Sequence, residues 1–399
     1  MKKVGQVVDV IERGDEETAT VDLVAGEIIA KLRDDLGIYG GRLYERDGDG
    51  YVVRATYPDA KEVAPGTRVS RSYPSVDLCL LLGTVYMTAD DPRIDPELEA
   101  KLGVKEFAAV EVGNEEYILS FNVAPGHNRE DILFSLGVVR RSINEKIRKE
   151  RMDGVFRQAR QIQASILPRR VPDHGKFSAA GRSAAMESVG GDLYDFIPIT
   201  EKILGLAIAD ASGHGLPAAL QVRDIYVGLR MGLARDFKIV RTIERLNNII
   251  HESALTSRFV SMFYGELEWN GTFIYVNAGH PPPFLIAADG SVSYLDQGGP
   301  VLGPLPQPTY DRGFARLNPG DQLVIYTDGI TEALRYGDTQ RGEEYGTQRL
   351  QEVVRANRGK SAAEVVDAVF ENLDEWSGDA PPQDDRTLIV VVYPDPMPT

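Results

Sequence analysis

Between Asn128 and Leu167 the chain runs almost without punctuation, and that stretch separates everything before it from everything after. Ile132, Leu136, Val139, Ile143 and Ile147 recur at three- and four-residue steps, and Val155, Ala159, Ile162 and Ile166 resume the stripe. That spacing predicts one apolar face of a long helix. Asn128 is placed to cap its start, with Glu130 and Asp131 in the first turn, and Pro168 stops it. The stripe loses phase at Met152-Asp153-Gly154, where glycine costs a helix ~1 kcal/mol relative to alanine. Two readings stay open: a connecting helix with one weak turn, or a dimerising signalling helix hinged at Gly154. The basic side chains Arg140, Arg141, Lys146, Arg148, Lys149 and Arg151 read as a solvated face.

Three segments follow from this division: residues 1–128, 129–167 and 168–399. The first is acidic and mixed. A helical stretch near Ala19–Leu36 precedes short alternating segments at Tyr39–Arg46, Tyr51–Tyr57, Phe107–Val112 and Tyr117–Asn122, with a hairpin signalled by Asp47-Gly48 and Asp49-Gly50. This order predicts a small α/β sensor-like module. The third segment changes rhythm. Ile203–Ala209, Val260–Trp269, Thr272–Asn277, Gln322–Thr327 and Thr387–Tyr393 read as strands, several almost continuously apolar and therefore buried. Leu216–Leu233, Val240–Ala254, Thr347–Asn357 and Ala362–Trp376 read as helices, with loops at Pro281-Pro282-Pro283 and Gly298–Pro308.

Composition narrows the function. The 399 residues carry 44 Lys plus Arg against 60 Asp plus Glu, a formal net charge of −16. Such a chain repels nucleic acid and anionic membrane unless a local basic patch overrides the mean. No apolar run is long enough to span a bilayer, and Met1-Lys2-Lys3 is not followed by the apolar core of a secretory signal. With Cys79 as its one cysteine, the chain forms no internal disulfide. The expectation is a cytoplasmic protein with no nucleic-acid or membrane partner.

The placing of certain aspartates is more informative than their number. Asp192 follows Gly190-Gly191 at the start of a strand. Asp210 ends the run Leu204-Gly-Leu-Ala-Ile-Ala, and Asp328 follows Leu323-Val-Ile-Tyr-Thr and precedes Gly329. Asp384-Asp385 immediately precedes the last strand. An aspartate at a strand end is ordinarily a turn former or helix cap. Convergence of several would crowd anions at the edge of a core, which is unfavourable without a cation. Oxygen donors suit Mg²⁺ or Mn²⁺, and no Cys/His cluster suggests zinc.

Five ordered strings carry a resemblance: Ser188-Val-Gly-Gly-Asp-Leu-Tyr-Asp-Phe196, Ile208-Ala-Asp-Ala-Ser-Gly-His-Gly-Leu-Pro-Ala-Ala-Leu220, Asn277-Ala-Gly-His-Pro-Pro-Pro283, Tyr326-Thr-Asp-Gly-Ile-Thr-Glu-Ala333 and Asp384-Asp-Arg-Thr-Leu-Ile389. With the lead-in Gln163-Ala-Ser-Ile-Leu-Pro168, the region from Ala159 to Tyr393 resembles the SpoIIE/RsbU-type branch of the PPM (protein phosphatase 2C-like) metal-dependent Ser/Thr phosphatases. The first segment resembles a GAF domain in element order alone. The resemblance implies an α+β chain: a C-terminal αββα sandwich joined by the long helix to an N-terminal α/β GAF-like domain. It also implies two divalent ions, held by Asp192, Asp210, the Ala211 carbonyl, Asp328 and Asp384. Asp192, Asp210 and Asp328 would act through metal-bound water, and Asp385 stays open as an alternative to Asp384. Relatives outside this branch have His two residues after the equivalent of Asp210; here Ser212 stands there, so a catalytic role does not transfer to His214, and His280 reads as structural.

By the same resemblance the substrate is phosphoserine or phosphothreonine on an anti-anti-sigma (STAS) protein, with the first domain as regulator and a homodimer formed through the connecting helix. Competing readings are a catalytically weak sensor or scaffold of a partner-switching pathway, a small-molecule sensor in residues 1–128, and a phosphoesterase for nucleotides or other small molecules.

Overall fold

A computed structural model describes residues 2–13, 17–57, 63, 66–102, 106–233, 238–253, 259–335 and 342–394. The chain divides into two units, Met1–Val155 and Phe156–Thr399. The helix expected around Asn128–Leu167 runs unbroken as Arg129–Ile166, and the division falls inside it.

The first unit contains α1 (Lys2–Arg13), α2 (Glu17–Leu36), β1 (Ile38–Asp47), β2 (Gly50–Thr56), β3 (Arg68–Ser70), α3 (Pro74–Leu82), β4 (Thr84–Met87), α4 (Pro96–Leu102), β5 (Phe107–Val112), β6 (Tyr117–Val123) and the start of α5 (Arg129–Ile166). Its strands form one antiparallel sheet in the order β3-β2-β1-β6-β5-β4, with the expected β1–β2 hairpin closing at Asp47 and Gly50. Alternation splits the central strands between two cores. Leu119 and Phe121 face α1, α2 and the first half of α5, whereas Ile118 faces Cys79 of α3 and Leu102 of α4. Cys79 is buried, and desolvation pushes its thiol up to about 12, so it acts as a small apolar side chain.

Asn128 caps α5 as expected, its Oδ1 accepting the Glu130 N–H at 2.8 Å. Ile132, Leu136, Val139, Ile143 and Ile147 are buried. Past the phase slip the stripe is largely uncovered, with Met152, Val155 and Ile162 54%, 52% and 53% exposed, until Ile166 packs on the core beneath α6 and α7. No helix among the described residues is long and apolar enough to cross a membrane.

The second unit adds β7 (Ser178–Ala184), β8 (Asp192–Thr200), β9 (Ile203–Ala211), α6 (Leu216–Leu233), α7 (Ile239–Glu252), β10 (Val260–Glu268), β11 (Thr272–Ala278), β12 (Phe284–Ile286), β13 (Val292–Tyr294), β14 (Gly298–Gly299), β15 (Gly313–Arg316) and β16 (Gln322–Tyr326). It closes with α8 (Asp328–Thr331), β17 (Leu334–Arg335), β18 (Glu343–Glu344), α9 (Gly346–Ala356), α10 (Ala362–Ser377) and β19 (Arg386–Val392). Ala254, the expected end of α7, lies outside the described residues.

Two sheets, β14-β11-β10-β9-β8 with β15 beside β11, and β13-β12-β16-β19-β7, pack face to face. The period of two sorts their apolar runs into three layers of core. Leu204, Leu206 and Ile208 of β9 meet Leu323 and Ile325 of β16 and Ile389 and Val391 of β19 between the sheets. The alternate residues Ala207, Ala209 and Ala211 face α6 and α7, and Val324, Tyr326, Leu388 and Val390 face α9 and α10. Strands buried on both faces have no polar side to show, which is why these segments read as continuous apolar runs. The result is the expected αββα sandwich.

Strand β7 was absent from the sequence reading because Ser178–Ala184 has neither bulk nor alternation. The structure explains the composition: a Cβ at Gly181 would stand 2.6 Å from the Tyr194 ring. At Gly154, by contrast, a Cβ would meet nothing within 4 Å, and α5 passes through without a break. Gly154→Ala is therefore expected to stabilise the chain by about 0.5–1 kcal/mol; a lower thermal midpoint would show that a hinge needs the glycine.

Candidate metal centre

Antiparallel pairing brings the aspartates together. β8 begins where β9 ends, so Asp192 stands opposite Asp210 in the ladder. β16 ends where β19 begins, with Tyr326 opposite Leu388, so Asp328 and the Asp384-Asp385 pair leave the second sheet together. The two sheet ends meet: the Thr327 hydroxyl donates to Asp192 Oδ2 at 2.9 Å. All four separated sequence positions thus fall at one edge of the sandwich.

The electrostatics match this crowding. Burial, followed by the charge of Asp210, raises the Asp192 carboxyl well above the ordinary carboxylate range. Asp210 is pushed up to about 7 by burial and then by Asp328, Asp384 and Asp385. Asp384 is raised by burial, with Asp328 and Asp385 adding to it. Among the described residues no three His, Cys, Asp or Glu side chains form a ready-made metal cage. The carboxylates share one end and one field without a closed coordination shell. The donor chemistry, all oxygen and unbalanced in charge, is of the kind that fits a hard divalent cation.

Hydrogen bonding separates the two adjacent acids. Asp385 is buried, and its carboxylate accepts the N–H of Met186 at 2.7 Å and that of Gly191. Both oxygens are thereby engaged in holding the loop that enters β8. Asp384 has a freer carboxylate, accepting the Asp385 N–H at 2.8 Å. Glycines make these contacts possible. A Cβ at Gly190 would lie 2.4 Å from Asp385 Oδ2, and one at Gly329 only 2.0 Å from the Asp385 carbonyl oxygen.

Other residues were given no role by sequence reasoning. Gln163, at the end of α5, donates through Nε2 to the Gly190 carbonyl at 2.6 Å and accepts the Gly190 N–H at 3.0 Å. Arg230 of α6 grips buried Asp195 through two nitrogens at 2.7–3.0 Å, tying α6 to β8. Glu332, in the motif after Asp328, is raised by burial and by the charges of Asp328, Glu344 and Asp384, which marks it as a further acid near the cluster. Only the motif strings hinted at Asp195 and Glu332.

The histidines have other work. His280 is buried, with Nδ1 and Ser261 Oγ 2.8 Å apart and Nε2 3.0 Å from the Tyr326 carbonyl; burial lowers its pKa to about 3, so it is neutral. It joins β10 to β16 as a structural link. His214 is exposed and lies 2.7 Å from Glu187.

If anion crowding dominates this edge, Asp210→Asn will raise the thermal midpoint of the metal-free chain while abolishing any further rise on adding Mn²⁺. A fall in the metal-free midpoint would show that the charge is not under strain.

Comparison with known proteins agrees with this architecture. Residues 200–394 match the family described as Stage II sporulation protein E (SpoIIE). Protein IcfG of Synechocystis is 28% identical over 328 residues, which cover 72% of this chain and 50% of IcfG. The chain therefore spans about half the length of that relative. Phosphoserine phosphatase RsbU of Bacillus subtilis is 28% identical over 254 residues, covering 63% of this chain and 72% of RsbU. The SiaA-PP2C domain of Pseudomonas aeruginosa superposes with a TM-score of 0.54 at 18% identity, over 61% of this chain and 97% of that domain, which places the fold. The second unit thus carries the SpoIIE match over residues 200–394 and has the fold of a PP2C-type domain.

Proposed function

We propose that the chain is a metal-dependent protein serine/threonine phosphatase acting on a phosphorylated anti-anti-sigma (STAS) protein, with the first unit as its regulator. The observation that carries this reading is the arrival of Asp192, Asp210, Asp328 and Asp384 at one edge of a PPM sandwich. RsbU, the relative matched over most of its own length, bears the name phosphoserine phosphatase.

Asp192, Asp210, Asp328, Asp384 and the Ala211 carbonyl would hold two Mn²⁺ or Mg²⁺ ions. When bound, such ions supply an acidified water and neutralise phosphate oxygens. The chain's own residues do the positioning. Thr327 orients the Asp192 carboxylate across the sheets, and Asp385 fixes the loop from Met186 to Gly191 through two backbone N–H groups. Gly190 and Gly329 keep that approach open. Hydrolysis then needs no cysteine nucleophile, and the second unit has none.

Regulation and self-association are supported in the same way. The β3-β2-β1-β6-β5-β4 sheet between helical layers suits a GAF-like sensor. The uncovered Met152, Val155 and Ile162 of α5 suit a homodimer formed through that helix.

Mn²⁺-dependent phosphate release from a phosphorylated STAS protein tests the activity. Asp328→Asn is expected to lower kcat by about a hundredfold or more, the scale of losing one preorganised charge from a phosphoryl-transfer site. Equal rates in the variant, or faster cleavage of free nucleotides than of the phosphoprotein, would contradict the reading. For regulation, a chain beginning at Arg157 should differ from the full chain in its dependence on substrate or Mn²⁺. Identical behaviour at every concentration would leave the first unit without a controlling role.

A further inference from the structure

The gathered aspartates confront an incoming phosphate with negative charge alone. Beside them lies a cavity of about 140 Å³ whose wall includes Arg160, Gln163, Ser183, Ser188, Gly190 and Asp192. One buried carboxylate of the candidate metal centre and one arginine thus share a single hollow. The arginine belongs to the last turns of α5, and the carboxylate begins β8.

Arg160 is the arginine in the wall of this cavity. It is exposed, and among the described residues it has no ion pair or hydrogen bond. Three arginines of the unit, by contrast, are engaged: Arg230 with Asp195, Arg386 with Asp374, and Arg182 with Asp367. An unpaired guanidinium held near a cluster of carboxylates keeps its forked donors for another anion. Its position is also fixed. Gln163, three residues later and hence on the same helical face, clasps Gly190 by two hydrogen bonds. The contact that anchors the entry to β8 therefore sets Arg160 above the same loop. Also in its wall, the Ser183 hydroxyl accepts from Thr387 Oγ1 at 2.9 Å, leaving its own proton to donate.

We propose that Arg160 is the phosphate-recognition residue of this site: it receives the phosphate of the phosphoserine or phosphothreonine substrate in this cavity, with Ser183 as a second donor. The proposal rests on the phosphatase reading for the identity of the substrate. Its physical core is narrower, the capture of a phosphate dianion by an unpaired guanidinium.

The test compares Mn²⁺-loaded full-length wild type with Arg160→Gln and Arg160→Lys. Arg160→Gln is expected to raise KM for a phosphoserine peptide and the inhibition constant of inorganic phosphate by the same factor, about tenfold to a hundredfold, the range of one charge-assisted pair. kcat should stay within about threefold and the thermal midpoint should not move, while Arg160→Lys recovers part of the loss. An unchanged phosphate inhibition constant overturns the proposal. If KM alone rises, Arg160 reads acidic residues of the substrate instead; if the midpoint falls while phosphate binding is kept, it serves packing. Calorimetric titration with inorganic phosphate separates the two layers. Arg160-dependent phosphate binding without hydrolysis of any phosphoprotein would sink the phosphatase reading and leave the phosphate site standing.

Discussion

Two buried carboxylates brace the ends of the sandwich against each other, and the rest of the site depends on that brace. Asp192 in the first sheet accepts from Thr327, which follows β16 in the second. Asp385, at the entry to β19, accepts from the backbone of the connection between β7 and β8. A buried carboxylate is tolerated when its oxygens are satisfied and is costly otherwise. These bonds therefore fix which strand ends may approach, and with them where Asp210, Asp328 and Asp384 stand. The tight fit at Gly190 and Gly329 follows from the same closeness.

The edge so built opposes itself electrically. Asp192 and Asp210 face each other across a ladder, and both are driven toward their protonated forms by burial and by neighbouring charge. Three apolar layers, two between helices and sheet and one between the sheets, offset that local cost. A site held in an unfavourable charge state by a rigid frame is poised to bind cations strongly. The ion pair of Arg230 with Asp195 belongs to the frame: it secures α6, which packs on the strand that carries Asp192.

How much of this could be read in advance depended on whether the signal was local. The apolar runs of β9, β16 and β19 and the helices around them were legible because both faces of each strand are buried and the helical periods are clean. Residues Asp192, Asp210, Asp328 and Asp384 stood out as strand-end acids, but nothing in spacing alone could bring Asp192 and Asp328 to the same edge; the resemblance supplied that. β7 escaped because it lacks bulk and alternation, and its Gly181 is dictated by a distant ring, that of Tyr194. The assignment of Asp385 to the frame escaped because its partners lie almost two hundred positions away in the chain. The stripe on α5 was read to resume past Met152-Asp153-Gly154, yet there Met152, Val155 and Ile162 stay exposed, since periodicity reports an apolar face and not what covers it.

Anomalous diffraction from crystals grown with Mn²⁺ would examine the central claim most directly. The account requires manganese peaks within bonding distance of carboxylate oxygens of Asp192, Asp210, Asp328 and Asp384, with Asp385 still bound to the Met186 and Gly191 amides. Manganese found elsewhere, or an Asp385 carboxylate turned from those amides onto the metal, would contradict it.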